Sequence, residues 1–254
     1  MGITAVPGSM GRRGLGFAAA ALWAGQAARA AVPERLSSDA DALLRRLSDT
    51  LARAPSLTVD INTAREVRLE DGRVATLLAE AGIAIRRPDR LRADIRGDAV
   101  VANVFYDGRQ VAIEAPLNNA YARAEAPNTL DATLIMLANR LGVPLEVGNL
   151  LFSNPYSRLA PDTVGEVVPS FTVAGRPAVH LIMQSGPVAW ELWLEDSELA
   201  LPLLASIRRG AYRTLVRFDA WRLGPQIPDQ LFTFVPPPTA RQIPMATRPE
   251  GDGP

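Results

Sequence analysis

The chain has 254 residues, 48% hydrophobic and 21% charged, with 27 basic residues balanced by 27 acidic ones. This excludes a mostly disordered chain and leaves no electrostatic case for nucleic-acid binding. There is no cysteine, and every basic residue is arginine apart from one histidine. Disulfides, thiolate nucleophiles, zinc-thiolate centres, Schiff-base lysines and phosphate-loop lysines are therefore excluded.

Residues 1–30 contain no Asp or Glu; Arg12 and Arg13 precede an apolar run from Gly14 to Ala24, and Ala28-Arg29-Ala30 follows. A basic start, a short apolar stretch and an A-x-A end predict a secretory signal cleaved after Ala30. The apolar run is about half the roughly 20 residues that a membrane span needs. Arg12-Arg13 also suggests twin-arginine export, but Gly14 and Gly16 suit that pattern poorly, so ordinary secretion is the reading. Cleavage removes Arg12, Arg13 and Arg29 and no acid, leaving 24 basic residues against 27 acidic ones. The expected product is mildly acidic, without a polybasic membrane patch or a second long apolar stretch. It is expected in the periplasm and is not expected to span a membrane.

Ser38-Asp39-Ala40-Asp41 predicts a helix start, with Ser38 as cap and Asp41 in the reciprocal position. Ala40, Leu43, Leu44, Leu47, Leu51 and Ala54 follow at helical spacing, and Pro55 stops the helix. Leu57, Val59 and Ile61 then alternate with polar residues. Asp71-Gly72, Asp107-Gly108 and Ala174-Gly175 are hairpin signals, each followed by an arginine (Arg73, Arg109 and Arg176). Strands are predicted at 74–86, 91–96, 100–106 and 110–114, and short connections make them antiparallel neighbours.

A second helix is predicted over 129–141, with Leu130, Leu134, Leu137 and Leu141 on one face and Gly142 as its stop. One or two further turns are predicted over 147–158, interrupted by Pro155. Strands resume at 166–173, 178–184, 188–195, 203–208 and 212–221, and Phe232-Thr233-Phe234 closes the ordered part. Pro236-Pro237-Pro238 and residues 246–254 read as a loose tail.

Strands in series with segregated helices predict an α+β fold with an antiparallel sheet. No linker separates the two strand-rich halves, so a single domain over 31–245 is expected. A sheet this long must twist and curl, and the leucine-rich helix 129–141 is the natural cover for its concave face. The space between is then either an apolar ligand groove closed by a movable helix or a dry core; periodicity alone favours the dry core.

Several stretches resemble a known family. Ile85-Arg86-Arg87-Pro88-Asp89-Arg90-Leu91-Arg92 and Val104-Phe105-Tyr106-Asp107-Gly108 resemble the R-P-x-basic stretch and the following D-G hairpin of LolA-type periplasmic lipoprotein carriers. A related family of predicted periplasmic proteins is resembled more closely, through Asp41-Ala42-Leu43-Leu44, Leu151-Phe152-Ser153-Asn154-Pro155-Tyr156, Trp190–Asp196 and Leu231–Pro237. The similarity spans roughly Ser38 to Ile243. The resemblance implies a LolA-like half-barrel of about eleven strands with helices lidding an apolar cavity. It also implies binding of an acyl chain, a lipid or a lipoprotein, or an envelope-sensor role through contact with another protein. The chain departs from the pattern at Ala178-Val179, where a Cys is expected near the histidine, and at Leu203, where a basic residue is expected.

Catalytic patterns are weak. His180 is the only histidine and no G-x-S-x-G elbow accompanies it, so a structural or surface role is the reading. Glu191, Glu195 and Asp196 flank Trp193 in the manner of a hydrolase's paired carboxylates, but a solvated sheet face with an aromatic cross-strand contact is the simpler account. Arg86, Arg87, Arg90, Arg92 and Arg96 form a basic run that suits lipid phosphates or an acidic partner. The interleaved Asp89, Asp94 and Asp98 instead favour cross-strand ion pairs on an exposed face.

The expected protein is therefore a non-catalytic binder or carrier of a hydrophobic ligand, without cofactor or metal. Leu130, Leu134 and Leu137 are the candidate lid. Trp190, Leu192 and Leu194, on the face that also carries Val188, are the candidate cavity wall, with Val104 and Tyr106 as additions. The alternative is an envelope sensor or scaffold.

Overall fold

Alternating apolar residues joined by tight turns build one twelve-stranded sheet in the computed structural model, which describes residues 35–141 and 147–245. The predicted signal segment 1–30, the helix stop Gly142 and the tail 246–254 lie outside the described residues. The strands are β1 (Ser56–Arg68), β2 (Val74–Arg86), β3 (Arg90–Gly97), β4 (Val101–Tyr106), β5 (Gln110–Ala115) and β6 (Ala120–Glu125). After the helices come β7 (Thr163–Val173), β8 (Arg176–Ser185), β9 (Val188–Glu195), β10 (Pro202–Arg209), β11 (Tyr212–Leu223) and the two-residue β12 (Arg241–Gln242). Their order is β12-β6-β5-β4-β3-β2-β1-β11-β10-β9-β8-β7, so β1 and β11 join the two halves and the sheet stays open. All neighbours are antiparallel except β12, which runs parallel to β6.

The predicted turns form. At Ala174-Gly175 both residues have positive φ, +48° and +79°, the geometry of a two-residue hairpin whose second position favours glycine. Periodicity gave no signal for β6, where alanine alternates with Tyr121 and Arg123. It forms because β5 offers a full ladder from Gln110–Glu125 to Ala115–Ala120.

Helix α1 (Ser38–Arg53) begins at the residue predicted to cap it. Ser37, not Ser38, is the cap, its hydroxyl accepting from the Ala40 N–H at 3.3 Å. Asp41 is thereby freed from the reciprocal role and binds Arg45 (2.8 Å) and the Tyr156 hydroxyl. The Tyr156 hydrogen bond, then Arg45, holds the Asp41 carboxyl below its ordinary value. Helix α2 (Leu130–Leu141) follows β6, then a 3-10 turn (Gly148–Leu151) and the one-turn helix α3 (Tyr156–Leu159).

One hydrophobic core joins the inner face of both sheet halves to Leu44, Leu47 and Leu51 of α1 and Leu130, Leu134 and Leu137 of α2. Arg87 ties the helices to the sheet. Its guanidinium donates to the carbonyls of Leu151 (3.1 Å) and Phe152 (2.9 Å), with a longer contact to Leu51 (3.4 Å). Burial pushes its pKa down. The basic run therefore differs from the predicted cross-strand pairing. Arg92 pairs along its own strand with Asp94 (2.5 Å), Arg90 with its neighbour Asp89 (2.8 Å), and Arg86 with the distant Asp229. Arg92 reaches Asp94 along the chain because strand residues two apart share a face.

The outer face of the first half carries a second layer. Phe232 ends a 3-10 turn (Asp229–Phe232) and packs on Ala84 with Ile227. Phe234 meets Phe105 and Tyr121 at ring-centroid distances of 5.0 and 5.1 Å. Arg92 lies 3.5 Å over Phe105 and Arg123 5.0 Å over Phe234. Ala84, Arg92, Phe105, Ala112 and Arg123 are successive cross-strand partners, so this strap follows one row of the sheet. The segment after Pro236-Pro237-Pro238 is docked, so the ordered part extends beyond Phe234. Arg241 and Ile243 donate to the carbonyls of Asn119 and Tyr121 and cover the β6 edge. At the opposite edge, Leu36 bridges Gly165 of β7. Covered edges resist pairing with other chains.

Candidate functional site

Strand register sorts the inner face into cross-strand rows. The first row is Leu57, Ile85, Leu91, Tyr106 and Val111. Each of these is at most 4% exposed. Tyr106 donates its hydroxyl to the Pro127 carbonyl at 2.6 Å, and burial raises its pKa. Two rows further along stand Phe218, Ile61, Ala81, Ile95 and Ala102. The next row crosses seven strands as Leu181, Leu192, Ala205, Val216, Thr63, Ala79 and Gly97. Side chains on β2 and β3 thus shrink from Ile and Leu to Ala and Gly along the trough.

The shrinkage leaves a cavity of about 270 Å³ beneath α2, bounded by Ala79, Ala81, Ala93, Ile95 and Gly97 of the sheet and by Leu134 and Leu137 of the helix. Its lining is almost wholly apolar, with Arg65 and Glu80 among the few polar residues. Gly97 is required by close approach: a Cβ there would lie 2.7 Å from the Ala79 Cβ and 2.8 Å from the Leu78 carbonyl oxygen.

A second cavity of about 210 Å³ lies on the other half, against Trp190, Leu192, Ala205 and Ile207. It is the more polar of the two, bordered by Arg158, Ser185, Glu191 and Arg209. The Trp190 indole N–H donates to the Ser185 hydroxyl at 2.9 Å. Both cavities touch Val147. The 3-10 turn separates them, presenting Gly148 and Leu151 to the first and Asn149 and Leu150 to the second.

Of the residues singled out from sequence, Val104, Leu134 and Leu137 line the first cavity, and Trp190 and Leu192 line the second. Leu130, Leu194 and Tyr106 are buried in the shared core and line neither of these two cavities. Sequence reasoning missed Ala79, Ala81 and Gly97, which make the space. Their signal was alanine at alternate positions of a strand whose neighbours on that face are bulky.

On the outer face, His180 stacks on its cross-strand partner Trp193 at a centroid distance of 4.0 Å and contacts Glu191 at 3.1 Å. Burial lowers the histidine pKa, and Glu191 opposes this. No serine hydroxyl is hydrogen-bonded to His180 among the described residues. Among the described residues, no group of three or more His, Asp or Glu side chains is placed to hold a metal, and no helix is long and apolar enough to cross a membrane.

No curated protein matches the chain in sequence. Among solved structures, an uncharacterized conserved protein from Thermus thermophilus is similar at a TM-score of 0.46 and 12% identity, over 81% of this chain and 99% of that one. A LolA superfamily protein from Nitrosomonas europaea is similar at 0.40 and 11% identity, over 76% and 96%. MucB is similar at 0.39 and 16% identity over 78% of this chain, which spans only 64% of the length of MucB. A family model described as predicted periplasmic protein (DUF2092) matches residues 40–246, and the chain belongs to that family.

Proposed function

We propose that this protein binds an apolar chain, without converting it, in the cavity beneath α2, and acts in the periplasm after export through the 1–30 signal. The ligand class is an acyl chain, free, in a lipid or on a lipoprotein. The observation that carries this is the apolar cavity of about 270 Å³ left by small residues in a sheet otherwise packed with Leu, Ile and Val. That volume lies just below the range of about 300–1,000 Å³ of small-molecule sites, which suits part of a chain better than a whole lipid. Each buried methylene contributes ~0.8 kcal/mol.

The test is native mass spectrometry of protein purified from the periplasm, followed by lipid extraction and uptake of a fluorescent fatty acid. Bound lipid in the wild type and loss of uptake in Ala93→Phe, which fills the cavity, are expected. Protein that neither carries lipid nor takes up the probe refutes the reading.

One observation favours a second reading, a sensor or scaffold contacting another envelope protein. The strap covers the outer face of the first half, whereas Ile182 on β8 is 45% exposed beside the His180–Trp193 stack. A partner crosslinked in the wild type and lost in Ile182→Asp, with fatty-acid uptake absent from both, would support it.

A further inference from the structure

We infer that the two cavities form one bipartite site for an anionic amphiphile, its chain beneath α2 and its anionic end beside Arg158 and Arg209. This rests on the apolar-ligand reading and adds the headgroup. Three observations carry it.

The cavities lie at the same level of the trough. The row that gives Ala79 and Gly97 to the first gives Leu192 and Ala205 to the second, with Val216 between them. Val147 borders both, so a ligand passing the 3-10 turn touches the two together.

Their chemistry differs in the sense an amphiphile needs. The first is almost wholly apolar, while the second adds Arg158, Arg209, Ser185, Asn149 and Glu191 to its apolar wall.

The arginines at the second cavity also differ from those held in ion pairs. Arg45, Arg90, Arg176 and Arg217 each have a carboxylate within 2.8 Å. Arg158 and Arg209 have no carboxylate partner among the described residues. Arg158 rests over the Phe152 ring at 4.8 Å, which holds its guanidinium without neutralising it. The one acid at this cavity, Glu191, contacts His180. Two unneutralised guanidiniums on a partly apolar cavity suit a phosphate or carboxylate headgroup, which they hold by charge-assisted hydrogen bonds.

The experiment is displacement of a fluorescent fatty acid from the full chain by dodecyl phosphate, by the uncharged monododecyl glycol and by inorganic phosphate. Trp190 fluorescence, corrected with Trp190→Phe, reports on the second cavity. The wild type is expected to bind dodecyl phosphate at least about tenfold more tightly than the glycol, and Arg158→Gln/Arg209→Gln to lose that preference. Unchanged glycol affinity shows that the double variant is folded. Equal binding of both dodecyl probes overturns the bipartite site and leaves the apolar-chain reading standing. Trp190 quenching by inorganic phosphate with the affinity of dodecyl phosphate overturns it too, by showing an anion site independent of the chain. If neither dodecyl probe displaces the fatty acid, both readings fall.

Discussion

The two ends of the inner face share one alternation pattern and differ in outcome. At one end Leu57, Ile85, Leu91, Tyr106 and Val111 meet across five strands and are buried in the core. At the other, the same strands present Thr63, Ala79 and Gly97, and a cavity remains. Alternation decides which side chains point inward, and side-chain volume decides whether the inward side is core or site.

The largest expected effect is at the packed end. Ile85→Ala should cost about 2–5 kcal/mol in denaturant unfolding, because the surrounding row cannot collapse into the void. A loss below about 1 kcal/mol there would erase the contrast with the hollow end. Arg87→Met should cost ~1.5–3 kcal/mol, since it strips charged donors from the carbonyls of Leu151 and Phe152. An unchanged denaturation midpoint would mean that Arg87 does not bind the helices to the sheet. Tyr106→Phe should lose about 1 kcal/mol through the bond to Pro127.

The hollow end should behave in the opposite way. Ala81→Val is expected to shift stability by less than about 1 kcal/mol while lowering fatty-acid uptake several-fold, since the added methyls enter space instead of neighbours. Uptake equal to wild type would place the ligand elsewhere.

The smallest effect concerns the α1–α3 contact. Asp41 has its pKa lowered in the folded state, so it stabilises above the ordinary carboxylate value of 3.8, and that contribution fades as pH falls below it. Tyr156→Phe removes the largest cause, so the stability gap between wild type and variant should narrow below that pH. Parallel pH curves would show that the hydrogen bond does not favour the ionised carboxyl.

Much of this was legible from residues near one another in the chain. The hairpins at Asp71-Gly72, Asp107-Gly108 and Ala174-Gly175, the helix over 130–141 and the single antiparallel sheet follow from turn chemistry and apolar spacing. Some local features were misjudged by competition between neighbours. Ser37 and Ser38 are both competent caps, and the chain uses Ser37, which leaves Asp41 to Tyr156, more than a hundred residues away. The C-terminal strap was invisible because Phe232 and Phe234 gain their partners only from arginines and rings on strands far earlier in the sequence.

The sequence by itself determined the antiparallel class, the inward face of the strands with clear alternation and the exclusion of cysteine and lysine chemistry, because these depend on residue type and short-range periodicity. Only the tertiary structure decided where space remains. A cavity is a difference between the volumes of residues brought together from β1, β2, β3 and α2, and that difference exists only once register aligns Ala79 with Gly97 and lays Leu134 and Leu137 above them.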